Sequence, residues 1–103
     1  VRIEGTQTER KVAFGLGPIA PNPFVDGTSV KFSMARSAAV TLSIYNVNGQ
    51  LVRTLVDGEM SAGEHQMTWD GSDMAGHEAA RGVYFCRMAT EDFTATTKVL
   101  RMQ

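Results

Sequence analysis

Apolar and polar residues alternate along the chain in short runs, and Gly, Asn, Asp and Pro separate the runs. Alternation of this kind marks half-buried strands, because successive side chains on a strand point to opposite faces. Thr28 to Met34 shows it cleanly, with Val30, Phe32 and Met34 against Ser29, Lys31 and Ser33. Ala39 to Asn46 repeats the device, with Val40, Leu42 and Ile44 inward and Thr41, Ser43 and Tyr45 outward. Asn48-Gly49 then predicts a hairpin, since a type I′ turn needs positive φ at both central residues. The return strand reads Gln50 to Val56, closed by Asp57-Gly58.

A turn at Ser61-Ala62-Gly63 leads into Glu64 to Trp69, where Met67 and Trp69 share a face. Asp70 to Arg81 is a long loop rich in Gly, Asp and Ala. Gly82 to Thr90 is a strand with Tyr84, Cys86 and Met88 on one face and Arg87 on the other. Phe93 to Met102 is the last strand. Phe93, Ala95, Thr97 and Val99 form one of its faces and Leu100 and Met102 the other, so a bulge near Lys98 is expected to reconcile them.

Toward the start, Lys11 to Leu16 alternates with Val12, Phe14 and Leu16 on one side. The stretch Gly17 to Phe24 holds Pro18, Pro21 and Pro23, which remove N–H donors and exclude a central strand. Residues 1–10 are polar and aperiodic and read as a linker or a loosely attached first segment; residues 11–103 read as the domain. About seven strands with turns roughly every 8–12 residues predict an all-β fold, an Ig-like antiparallel β-sandwich. Trp69 is the expected anchor between its sheets.

Composition narrows the function. At 103 residues the chain has room for one small domain. Ten Lys and Arg against eleven Asp and Glu give a net charge of -1, with no basic excess for nucleic acid or anionic lipid. No apolar run approaches the ~18 residues of a membrane helix, so no membrane insertion is expected. The lone cysteine, Cys86, excludes an internal disulfide, and stability must come from apolar burial. The start at Val1 reads as a fragment of a longer protein.

Candidate chemistry is sparse. His65 and His77 lack the spacing of metal ligands. Cys86 shares a face with Tyr84 and Met88, which predicts a buried, inert thiol rather than a nucleophile. Asp70, Asp73 and Glu78, with Gly71 and Gly76, resemble a sparse calcium loop but fail the EF-type spacing; turn formation is the simpler reading. Glu91-Asp92 is placed at a solvated hairpin tip, not across a glycosidase cleft. No catalytic residue, cofactor or metal is therefore expected. Met34, Met67 and Met88 are expected to fill gaps in the core. Tyr84 is expected to tie its hydroxyl to a loop backbone.

Four stretches together carry a likeness. They are Pro21-Asn22-Pro23-Phe24; Val40 to Arg53, reading VTLSIYNVNGQLVR; Ala62-Gly63-Glu64-His65 continuing to Trp69-Asp70-Gly71, Asp73 and Gly76; and Gly82-Val83-Tyr84-Phe85 followed by Lys98-Val99-Leu100-Arg101. In this order and spacing they resemble the Ig-like domain of the flagellar hook-capping protein FlgD and the related C-terminal sorting domains of type IX secretion. The Trp69-Asp70-Gly71 block leans toward the hook-capping type; the close of the chain just after the last strand leans toward the sorting type.

The resemblance implies a non-catalytic, extracellular or cell-surface module on an exported bacterial protein, acting as a monomer. Its implied partners are the secretion machinery or an upstream cargo domain. It implies recognition through Lys98, Val99, Leu100 and Arg101, by edge pairing or by charge contact, with Lys98 and Arg101 outward. Plain outward cations that discourage edge aggregation are the competing reading of the same residues. Two further alternatives are an accessory binding or spacer domain on a secreted hydrolase, for example touching carbohydrate, for which Tyr45 is the outward aromatic with Phe85 behind it, and a hook-capping-like assembly domain.

Overall fold

The structure, a computed structural model, describes residues 13–102. Seven strands follow in order: β1 (Gly15–Ala20), β2 (Thr28–Met34), β3 (Ala38–Asn46), β4 (Leu51–Met60), β5 (Gly63–Trp69), β6 (Gly82–Ala89) and β7 (Thr94–Arg101). They form two antiparallel sheets, β1-β2-β5 and β4-β3-β6-β7, packed as an all-β, Ig-like sandwich. The linker assigned to residues 1–10, and Lys11 and Val12, lie outside the described residues.

The alternation in the sequence explains the sandwich directly. Val30, Phe32 and Met34 of β2, Val40, Leu42 and Ile44 of β3, Tyr84, Cys86 and Met88 of β6 and Trp69 of β5 are all buried in one core. Each fully buried aliphatic or aromatic side chain contributes about 1.5–3 kcal/mol. At one end of the core Trp69 stands edge-on to Phe24 (5.2 Å between centroids) and Tyr84 (5.3 Å), and its indole N–H donates to the Ser72 carbonyl at 2.9 Å. The Tyr84 hydroxyl donates to the Ala80 carbonyl, as the sequence leads one to expect.

The structure differs from the sequence expectation in five places. The first strand lies four residues later, at Gly15–Ala20 rather than Lys11 to Leu16, and includes Pro18. As an edge strand it tolerates the missing donor, and its pairing with β2 slips between Leu16 and Ile19. Next, β4 continues through Asp57-Gly58 to Met60, because Gly58 pairs with Val40 in the ladder instead of turning. Ser43 is outward yet buried, held between Thr54 and Arg87 on the neighbouring strands.

The other two differences concern β7. No bulge occurs near Lys98: β6 and β7 pair without a slip from Gly82↔Arg101 to Ala89↔Thr94. Bulges occur instead between β3 and β4, at Leu42/Ser43 and Ile44/Tyr45. Unbroken parity then carries Arg101 to the inner face beside Val99, so it is buried and not outward.

Candidate functional site: the closing strand and the loop packed on it

The residues proposed for recognition divide between the two faces of β7. Lys98 is exposed and Leu100 half-buried on the outer face, while Val99 and Arg101 are buried on the inner face. The outer edge of the same stretch is occupied. Asn22 Nδ2 donates to the Lys98 carbonyl at 3.0 Å, and the Leu100 N–H donates back to Asn22 Oδ1 at 2.9 Å. The Phe24 N–H donates to the Leu100 carbonyl at 3.0 Å, and the Met102 N–H donates to the Phe24 carbonyl at 2.7 Å. Pro21 and Pro23 follow cis peptide bonds. The Pro-Asn-Pro-Phe motif thus works as a short surrogate strand, with the Asn side chain filling one ladder position and the Phe backbone the next.

Arg101 sits under the β5–β6 loop. Its guanidinium lies 6.0 Å from the centroid of the Phe24 ring and 3.9 Å from the Glu78 carboxylate, and its Nε is buried with no hydrogen-bond partner among the described residues. Gly71 makes room for it. Gly71 has φ +86°, and a Cβ there would stand 2.5 Å from Arg101 Nε. The loop is braced from the other side by Arg53, whose Nη1 donates to the Asp73 carbonyl (2.7 Å) and to Ser72 Oγ (3.2 Å).

The loop carboxylates are spent on the turn. Asp70 Oδ1 accepts from the Ser72 N–H and hydroxyl, and Asp73 Oδ1 accepts from the Ala75 and His77 N–H groups. These bonds hold both carboxyls below the usual aspartate range: the Ser72 hydroxyl is the leading cause for Asp70 and the His77 backbone for Asp73. Among the described residues no three of His, Cys, Asp or Glu converge as metal ligands do.

The remaining candidates are scattered. Cys86 is fully buried in the core, and desolvation pushes its thiol up to about 12, so it stays protonated at neutral pH. His65 stacks on Phe32 at 5.3 Å with Nε2 2.8 Å from the Ser61 carbonyl, and His77 is exposed beside Asp73. Asp92 pairs with Arg36 at the opposite end of the sandwich from Asp70. A groove of about 440 Å³ crosses the outer face of the three-stranded sheet, where Lys31, Ser33, Glu64 and Gln66 line it. It holds His65 but neither Cys86 nor Asp70.

Sequence reasoning missed two features that organise this region. Asn22 as a two-way clamp was signalled by the Pro-Asn-Pro spacing, which leaves a side-chain amide free to replace an absent backbone donor. The Gly71–Arg101 contact was signalled only by a Gly directly after Trp-Asp, and its partner lies thirty residues on in the sequence.

Comparison with known proteins fits this architecture. Residues 21–92 match the model of the FlgD Ig-like domain. The chain is 47% identical over 45 residues to the basal-body rod modification protein FlgD of Escherichia coli K12, covering 44% of this chain and 20% of that protein. It thus spans about a fifth of the length of the curated relatives it matches. Among solved structures it is similar to dimeric latent PorU from Porphyromonas gingivalis, with TM-score 0.71 and 16% identity over 90% of this chain and 10% of that one. It is also similar to PorZ of the same organism, a surface component of its type IX secretion system, with TM-score 0.60 and 19% identity over 86% of this chain and 12% of that one. The family match spans Pro-Asn-Pro-Phe, the hairpin, the Trp-Asp-Gly loop and β6, the elements that close the sandwich around Arg101, and the chain belongs to the FlgD Ig-like domain family.

Proposed function

We propose that this domain is a non-catalytic sorting or surface-attachment module of an exported bacterial protein. In this reading it works outside the cytoplasm, recognised by secretion machinery or seated on its own cargo domain. The observation that carries the reading is the likeness over 90% of the chain to a piece making up 10% of PorU, with PorZ, a surface component, sharing the fold. A small sandwich with a filled core, recurring as a minor part of larger proteins, one of them a surface component, suits a recognition appendage better than a reaction vessel.

The structure sorts the ways such recognition could run. Addition of a partner strand along Lys98–Met102 would have to displace Asn22 and Phe24 from that edge. Arg101 is committed to the interior. Side-chain contact on the open face, from Lys98 and Leu100, is the route left. The test is removal of residues 13–103 from the full-length protein. Export should fail and the remainder accumulate inside the cell; export at the normal level contradicts the reading. The 47% identity to FlgD over 45 residues favours a second reading, assembly at a flagellar hook, which a motility defect on the same deletion would support.

A further inference from the structure

The outer faces of the two sheets differ in kind. On the three-stranded sheet the outward residues of β2 and β5 are polar: Ser29, Lys31 and Ser33, and Glu64, Gln66 and Thr68. That is the expected wet face of an antiparallel sandwich. On the four-stranded sheet only half follows the rule. Thr54, Ser43 and Thr96 stand in one cross-strand row with Arg87. The next row reads Leu51, Tyr45, Phe85 and Lys98, and beside it Val83 faces Leu100.

Leu51 is 52% exposed and Met102, next in parity after Leu100, is 45% exposed. Leu51, Tyr45 and Phe85, on three strands at about 4.8 Å spacing, make an apolar stretch roughly 10 Å wide that Lys98 closes. Half-buried Tyr45 and Phe85, paired in register and flanked by Leu51, Val83, Leu100 and Met102, gather apolar side chains where a solvated face would carry polar ones. Such a grouping marks an interaction site more often than chance exposure.

Charge narrows what it can accept. Lys98 ends the apolar row and Arg87 stands in the next, between Ser43 and Thr96, and both are exposed. Neither makes an ion pair among the described residues. The outward positions of β6 and β7 carry no acid; the acids of this face, Asp57 and Glu59, lie at the far end of β4. A second copy of this chain would bring like charges together. We propose that this half-face, centred on Tyr45 and Phe85, docks a protein partner whose contact surface carries apolar side chains flanked by carboxylates.

The inference rests on the recognition reading above and deepens it, naming the surface and the partner's chemistry. Its test uses the full-length protein in its native cell. Arg87→Glu with Lys98→Glu changes only exposed side chains, so Tm should hold; Lys98→Glu alone serves if it does not. Export of the charge-reversed protein should fall by roughly tenfold or more. Lys31→Glu, on the other sheet, should export normally. A photo-crosslinking amino acid placed at Phe85 should form adducts with a partner segment in which Asp or Glu flank apolar residues, and charge reversal should abolish them.

Unchanged export and adducts after charge reversal would overturn the proposal. So would adducts confined to a second copy of this chain, to polysaccharide, or to a basic segment. If deleting the domain leaves export intact, the recognition reading itself fails. If deletion stops export but charge reversal does not, only this surface is wrong.

Discussion

Arg101 shows how one side chain can be held by a missing one. Its guanidinium occupies space that any Cβ at Gly71 would enter, and Gly71 holds a positive φ that other residues adopt only with strain. Gly71→Ala is expected to destabilise the domain by about 1–3 kcal/mol, from strain and displacement of Arg101 together. Arg101→Ala should cost a similar ~1–3 kcal/mol through lost packing on Phe24 and Gly71. The two should not add, because truncating Arg101 removes the clash that Gly71→Ala creates. Urea unfolding of both single variants and the double variant measures this; strict additivity would show that Arg101 does not press on Gly71. Arg101 was read as outward because a cation on a closing strand serves either a partner's charge or protection of the sheet edge. Nothing local in the sequence announces Gly71, Phe24 and Glu78 as its surroundings.

At the scale of elements, strands whose inner residues are uniformly apolar were legible and those closing the sandwich were less so. β2, β3, β5 and β6 lie within a residue of where the alternation puts them. β1 and β7 do not follow a simple binary pattern: β1 is an edge strand that includes Pro18, and β7 is an edge strand that also meets the Pro-Asn-Pro-Phe segment and the long loop. A bulge near Lys98 was invoked to reconcile Phe93, Ala95, Thr97 and Val99 on one face with Leu100 and Met102 on the other; the chain instead keeps its register, and Arg101 follows Val99 into the core. The real bulges, in β4, leave no clear mark, since Val52, Leu55 and Val56 fit either phase. The edge clamp belongs to this scale. Asn22→Ala removes two hydrogen bonds to β7 and should cost about 1–2 kcal/mol. Hydrogen exchange at the Leu100 amide should speed up while exchange within the β2–β5 ladder stays slow. Equal acceleration in both places would mean that Asn22 supports the whole fold rather than this edge.

Over the whole molecule, the fold class and the filled core were readable from alternation, turn residues and one tryptophan. The proposed recognition stretch, Lys98 to Arg101, could be named from sequence but not oriented, because which of its residues lie on an open face depends on parity and on what covers its edge. The structure moves the emphasis from the strand end to the open face beside it. A module that acts by being recognised should carry its function to any protein fused to it. The most direct measurement is therefore a reporter enzyme joined to residues 1–103, expressed in cells with and without a working type IX secretion system. Reporter activity at the surface or in the medium only where the system is intact is the predicted result. Activity retained inside both strains, with the fused domain folded, would contradict the proposed role.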